Sequence, residues 1–436
     1  MSETERPEAA SIKSALPEPS RLYRWLVLIF VSLAMFGSYY AYDALSPLAD
    51  VLRRQLGFTD SDIGLLQGFY SLPNFFTVVI GGFIIDRIGL RKSLMIFGVL
   101  SFIGPAITVS SGHFWIMAIG RLIFGMGAES LNVAVITALG RWFRGKELSF
   151  AFGLNLTASR LGTFAALNSP TWARWAYGNW RNPFLIALAF AALCVVGALV
   201  YWIMEAWAEK NYSLGAVSTD KVVFADLWKF GASYWLIVAL CIVFYSAIFP
   251  FQTFAVEFFM GAHGTSREFG GFLSSTLTLF AMIATPLFGL MVDRIGKRAL
   301  LMMFGSMLLI PVYLMMAYTQ INLYVPMAMM GVAFSLIPAV MWPSVAYIVD
   351  QSKLGTAYGL MTMIQNIGLF GLNWLVGSVN TYYHAEASNP AGYRAGMWIF
   401  SILGFLGVLF SFLLRQREMG PHGHGLETIT TAQGSG

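Results

Sequence analysis

Apolar runs broken by short polar loops dominate this chain. A membrane-spanning helix needs about 20 largely apolar residues. Twelve segments meet that need: about 23–50, 60–85, 93–111, 114–140, 147–170, 182–206, 233–260, 268–292, 299–318, 322–349, 355–380 and 393–415. The longest polar interruption, 207–232, follows the sixth segment and divides the chain almost in half. Within it Val223, Phe224, Leu227 and Trp228 form an apolar set flanked by Lys221 and Lys229, which suits a short surface helix or a solvated linker. The expected units are a disordered tail over 1–22, a six-helix half over 23–206, the linker, a second six-helix half over 233–416 and a tail over 417–436.

Composition sharpens this. The chain has 436 residues, 57% hydrophobic and 11% charged, whereas soluble proteins carry roughly a quarter of their residues as charges. Too little charge remains to cover a water-facing surface, so most of it must face lipid. The net charge of +5 does not point to nucleic acid, because the basic residues sit in short loops. With the N-terminus inside, 19 Lys and Arg fall on the inner side and six on the outer, which places both termini in the cytoplasm. The first residues are polar and acidic, unlike a cleaved signal peptide. Cys194 and Cys241 lie in different apolar segments and suggest neither a disulfide nor a metal site. No nucleophile–base pair, metal-spaced ligands or nucleotide loop is present, so no enzyme, cofactor or metal is expected.

The halves repeat one another. Asp86-Arg-Ile-Gly-Leu-Arg-Lys-Ser-Leu-Met-Ile-Phe-Gly98 aligns without gaps on Asp293-Arg-Ile-Gly-Lys-Arg-Ala-Leu-Leu-Met-Met-Phe-Gly305, with nine of 13 positions identical. Phe152-Gly-Leu154 likewise matches Tyr358-Gly-Leu360. Two six-helix halves in parallel repeat describe an all-α facilitator architecture, whose substrate site lies at the bilayer midplane between the halves. The loop Gly82-x-x-x-Asp86-Arg-x-Gly89-x-Arg-Lys92 and its copy resemble the signature loop of the major facilitator superfamily. Asp86, Arg87, Arg91, Asp293, Arg294 and Arg298 are therefore candidate gating residues, expected to latch the cytoplasmic side of an outward-open state.

Charges inside the membrane are functional candidates, since each costs about 2.5–3.5 kcal/mol on insertion scales. Glu129 stands near the middle of the fourth helix and Arg160 near the middle of the fifth. The repeat places Ser335 and Asn366 at the equivalent positions, so the charged pair is confined to one half. It suits a ligand carrying both charges, with Glu129 on an ammonium and Arg160 on a carboxylate. A structural salt bridge between the two is the plainer alternative. Asp43, 19 residues after Arg24, lies about 28 Å from the inner face at about 1.5 Å per residue, and Arg121 reaches a similar depth. They are candidates for an ion pair or for proton coupling. Tyr39, Tyr42, Gln252, Trp342 and Asn366 are candidate cavity residues, and Glu257 is expected at the outer interface.

Several strings are more specific than the loop. They include Gly37-Ser-Tyr-Tyr-Ala-Tyr-Asp43, Tyr70-Ser-Leu-Pro-Asn74, Gly120-Arg-Leu-Ile-Phe-Gly-Met-Gly-Ala-Glu-Ser-Leu131, Phe249-Pro-Phe251, Trp342-Pro343 and Gln365-Asn-Ile-Gly-Leu369. Through them the span from about 30 to 415 resembles the branch that contains the lysosomal dipeptide transporters of animals. The resemblance implies that Glu129 and Arg160 hold a peptide's amino and carboxyl termini. No dileucine-type sorting signal is recognisable and the loops are short, so a monomeric transporter of a bacterial inner membrane is expected. The rivals are a proton-coupled exporter of drugs or cations, a transporter of organic anions through Arg160, and a non-transporting receptor on the same fold. A guanidinium near Glu129 repels cations and speaks against the exporter.

Overall fold

The computed structural model describes residues 17–143, 147–214, 230–350, 353–421 and 423–429. The linker residues Lys221, Val223, Phe224, Leu227, Trp228 and Lys229 lie outside them. Twelve long elements follow one another: α1 (Arg21–Asp43), α2 in two pieces (Asp60–Ser71 and Asn74–Ile88), α3 (Leu90–Ser110), α4 (Phe114–Phe143), α5 (Leu148–Leu167), α6 (Arg181–Asn211), α7 (Ala232–His263), α8 (Arg267–Ile295), α9 (Arg298–Tyr318), α10 (Tyr324–Ile348), α11 (Leu354–Tyr382) and α12 (Tyr393–Glu418). Among the described residues ten helices are long and apolar enough to cross a membrane, and α2, bent by 55° between Asp60–Thr77 and Ile80–Ile88, makes an eleventh when taken as one span. α5 is a further long helix, whose apolar run is interrupted by Asn155, Thr157, Ser159 and Arg160.

Two departures from the apolar pattern have local causes. The first span stops at Asp43, and a separate short helix, Ala49–Leu56, follows Pro47. α2 breaks at Leu72-Pro73, where the proline has no N–H to give the preceding turn. The side chain of Asn74 turns back instead and donates to the Tyr70 carbonyl at 3.1 Å.

Each half packs into its own bundle, and the halves meet along a seam. Glycines set its closeness: a Cβ on Gly64 would lie 2.2 Å from the Asn373 carbonyl oxygen, one on Gly377 2.2 Å from that of Asp60, and one on Gly271 2.2 Å from that of Leu167. All three sit toward the side opposite the termini, called here the far side. The same region carries a buried ion-pair cluster. Arg53 contacts both Asp60 and Glu257, and Arg267 reaches Asp50, which also pairs with Arg54 at 2.8 Å. Glu257, near the end of α7, is 5% exposed and is packed inside the protein at the seam beside Arg53.

The side that carries the termini is looser. Gly82, Gly89 and Gly289 have open space where a Cβ would stand, and Asp86, Arg87, Asp293 and Arg294 are exposed. Arg91 pairs with Glu209 of its own half at 3.3 Å. Arg298 is buried, 3.4 Å from Asp293, and donates to the carbonyl of Ile429 at 2.7 Å. The tail residue Glu427 caps α9, accepting from the Ala299 N–H at 2.8 Å.

Candidate functional site

Glu129 and Arg160 project from α4 and α5 and are both partly exposed. They do not pair with each other. Glu129 accepts a hydrogen bond from the Tyr70 hydroxyl at 3.0 Å. Arg160 crosses the seam, where its Nη1 donates to the Ala281 carbonyl of α8 at 2.5 Å. Tyr39 lies within electrostatic reach of both charges. An acid, a guanidinium and a phenol from one half thus face a common space, with neither charge neutralised by the other.

The second half supplies a wall of aromatic and amide groups. The Trp342 indole N–H donates to the Tyr245 hydroxyl at 2.8 Å, and the Tyr358 hydroxyl donates to the Trp342 carbonyl at 3.1 Å. Tyr245 stacks on Phe249 at 5.7 Å between ring centres and lies within electrostatic reach of Arg160. Asn366 is buried at the seam, its Oδ1 3.4 Å from the Asn74 amide nitrogen that donates to it. Gln252 sits about two turns farther along α7, buried, with its backbone carbonyl accepting from the Ser46 hydroxyl at 2.5 Å. It belongs to the far-side seam.

Asp43 and Arg121 are both buried and form no direct ion pair. Asp43 shares a hydrogen bond with Thr163. Arg121 donates to Gln67 and to the carbonyls of Ala41 at 3.2 Å and Tyr42 at 3.4 Å, and it lies over the rings of Tyr42, Tyr70 and Phe124. Tyr42 packs edge-on against Tyr70 at 4.6 Å. Arg121 therefore braces Tyr70, whose hydroxyl holds Glu129, together with the Tyr42 ring beside it. Sequence reasoning assigned Tyr70, Tyr245 and Asn74 no place beside these charges; Tyr70 and Asn74 stood only at the ends of the string Tyr70-Ser-Leu-Pro-Asn74, and Tyr245 only as a polar atom in an otherwise apolar span.

A model of the Major Facilitator Superfamily matches residues 31–260 and 238–429. The chain belongs to the major facilitator superfamily. This facilitator is 33% identical over 375 residues to the lysosomal dipeptide transporter MFSD1 of Danio rerio, covering 82% of this chain and 81% of the relative. It is 32% identical over 388 residues to the Homo sapiens protein of that name, covering 86% and 83%. A probable sulfoacetate transporter, SauU of Cupriavidus necator, is 22% identical over 289 residues, covering 63% of this chain and 66% of the relative. Among solved structures, a bacterial homolog of the human lysosomal transporter Spinster, inward-facing and occupied, superposes with a TM-score of 0.72 at 18% identity, covering 91% of this chain and 98% of the other. At that identity the likeness speaks for the fold alone.

Proposed function

We propose that this facilitator moves dipeptides or similar small zwitterions by alternating access, as a uniporter or in step with protons. The observation that carries the reading is the open pair: Glu129 and Arg160 stand on neighbouring helices and each bonds a partner other than the other. A charge pair kept apart in low dielectric is costly unless each member has a partner. Here Tyr70 and Ala281 are partners that a ligand can supplement or replace. A peptide ammonium fits beside Glu129, and its carboxylate fits the fork of Arg160. The aromatic wall of Tyr245, Phe249 and Trp342 would take side chains of varied shape. The name borne by the relatives, dipeptide transporter, agrees with this chemistry.

The side carrying the termini is assigned to the cytoplasm of a bacterial inner membrane, following the Lys and Arg bias of the loops. In that orientation the close-packed seam at Gly64, Gly271 and Gly377 lies on the outer side. A second reading, transport of an organic anion through Arg160 alone, draws on the separation of the two charges. Thermal stabilisation of the purified protein by dipeptides and by amine-free acids separates the two. The zwitterion reading requires that removing the amine abolish the effect.

A further inference from the structure

The deepest ties across the seam are made by residues proposed to hold substrate. Where α5 meets α8, the contact runs from Leu167 against Gly271 inward to Arg160 on the Ala281 carbonyl, about two turns deeper along α5. Where α2 meets α11, it runs from Ser61, bonded to Ser378 and Thr381 at 3.0 Å each, inward to Asn74 on Asn366. Opening the far side means parting both helix pairs. Arg160 then loses its acceptor, and an unpartnered guanidinium inside a membrane protein costs more than a lost neutral hydrogen bond. A substrate carboxylate removes that cost, because it offers two oxygens to the guanidinium before the seam parts.

We propose that Arg160 and Asn366 fasten the two halves of the empty carrier and that substrate releases them, so that the protein exchanges substrate across the membrane faster than it moves it net. Net movement needs the empty carrier to cross, breaking these ties with no ligand to replace them. Exchange needs only loaded crossings. This rests on the reading of Arg160 as the carboxylate site. It adds that the same side chain, when empty, acts as a lock.

The experiment uses the full-length protein in proteoliposomes loaded with radiolabelled dialanine. Efflux is followed with and without unlabelled dialanine outside. Exchange should exceed net efflux by about tenfold or more, the factor that about 1.4 kcal/mol of added barrier gives. Equal rates would overturn the lock while leaving the zwitterion reading intact. No dialanine flux in either mode from folded protein would remove that reading and the lock with it. Asn74→Ala, which deletes one tie at a residue not assigned to the ligand, should narrow the ratio by about threefold, as loss of a hydrogen bond worth under about 1 kcal/mol would. An unchanged ratio in that variant would contradict a role for the Asn74–Asn366 tie.

Discussion

Tyr70 donates to Glu129 at 3.0 Å, and through this bond the acid is held by its own half. Arg160, one helix on, is held by the opposite half instead. A clamp built this way has one arm fixed and one arm that moves with the seam.

The fixed arm can be tested at Tyr70. Tyr70→Phe keeps the ring against Tyr42 and Phe124 and removes only the hydroxyl. Ligand affinity measured by calorimetry should fall about tenfold or more, as expected for one net hydrogen bond to a charged group worth about 1.5–3 kcal/mol. Unchanged affinity would mean that the tyrosine does not position Glu129.

Close packing on the far side makes a second prediction. Gly377→Val places a side chain where a Cβ already meets the Asp60 carbonyl oxygen at 2.2 Å. Overpacking of this kind costs about 1–3 kcal/mol, so the closed far side should lose population by about tenfold or more. Ser378→Cys, half-buried against Ser61 in the closed seam, reports this through its rate of thiol labelling from that side. Equal labelling with and without the valine would contradict the closure described here.

The ion-pair cluster should divide sharply between its members. Arg53 stands between two buried acids, so Arg53→Ala leaves Asp60 and Glu257 without their cation and should cost about 3–5 kcal/mol. Arg54 is 64% exposed and pairs only at the surface, so Arg54→Ala should change stability by less than about 1 kcal/mol. Thermal denaturation of the two variants in one detergent measures the difference. Similar losses from both would show that burial does not set the worth of these pairs.

The tail gives a smaller effect. Glu427→Ala removes the side chain that caps α9 at Ala299 and should cost about 1 kcal/mol, the usual worth of a helix cap. Hydrogen exchange at the first turn of α9 would rise if the tail holds that loop, and would stay unchanged if it does not.

The spans, the repeat and the family were legible in the sequence because each is written in local periodicity or in matched strings. Glu129 and Arg160 were legible because a charge in an apolar run is conspicuous. The seam was not. Glu257 read only as an interface charge and residue 60 only as the start of a span, and only tertiary packing brings Asp60 and Glu257 together on Arg53. The break at Pro73 was hidden because the run from 60 to 85 stays apolar across it. Asp43 and Arg121 share a depth, yet depth does not fix direction. Arg121 turns to Gln67 and three aromatic rings, while Asp43 turns to Thr163.

The clamp itself is tested most directly by thermal shift of the purified protein with dialanine, N-acetyl-dialanine and dialanine amide, repeated on Glu129→Gln and Arg160→Ala. Stabilisation by dialanine alone, lost when either end is capped and lost in both variants, is the expected result. Equal stabilisation by the N-acetylated peptide, or a full response from either variant, would contradict the two-charge site.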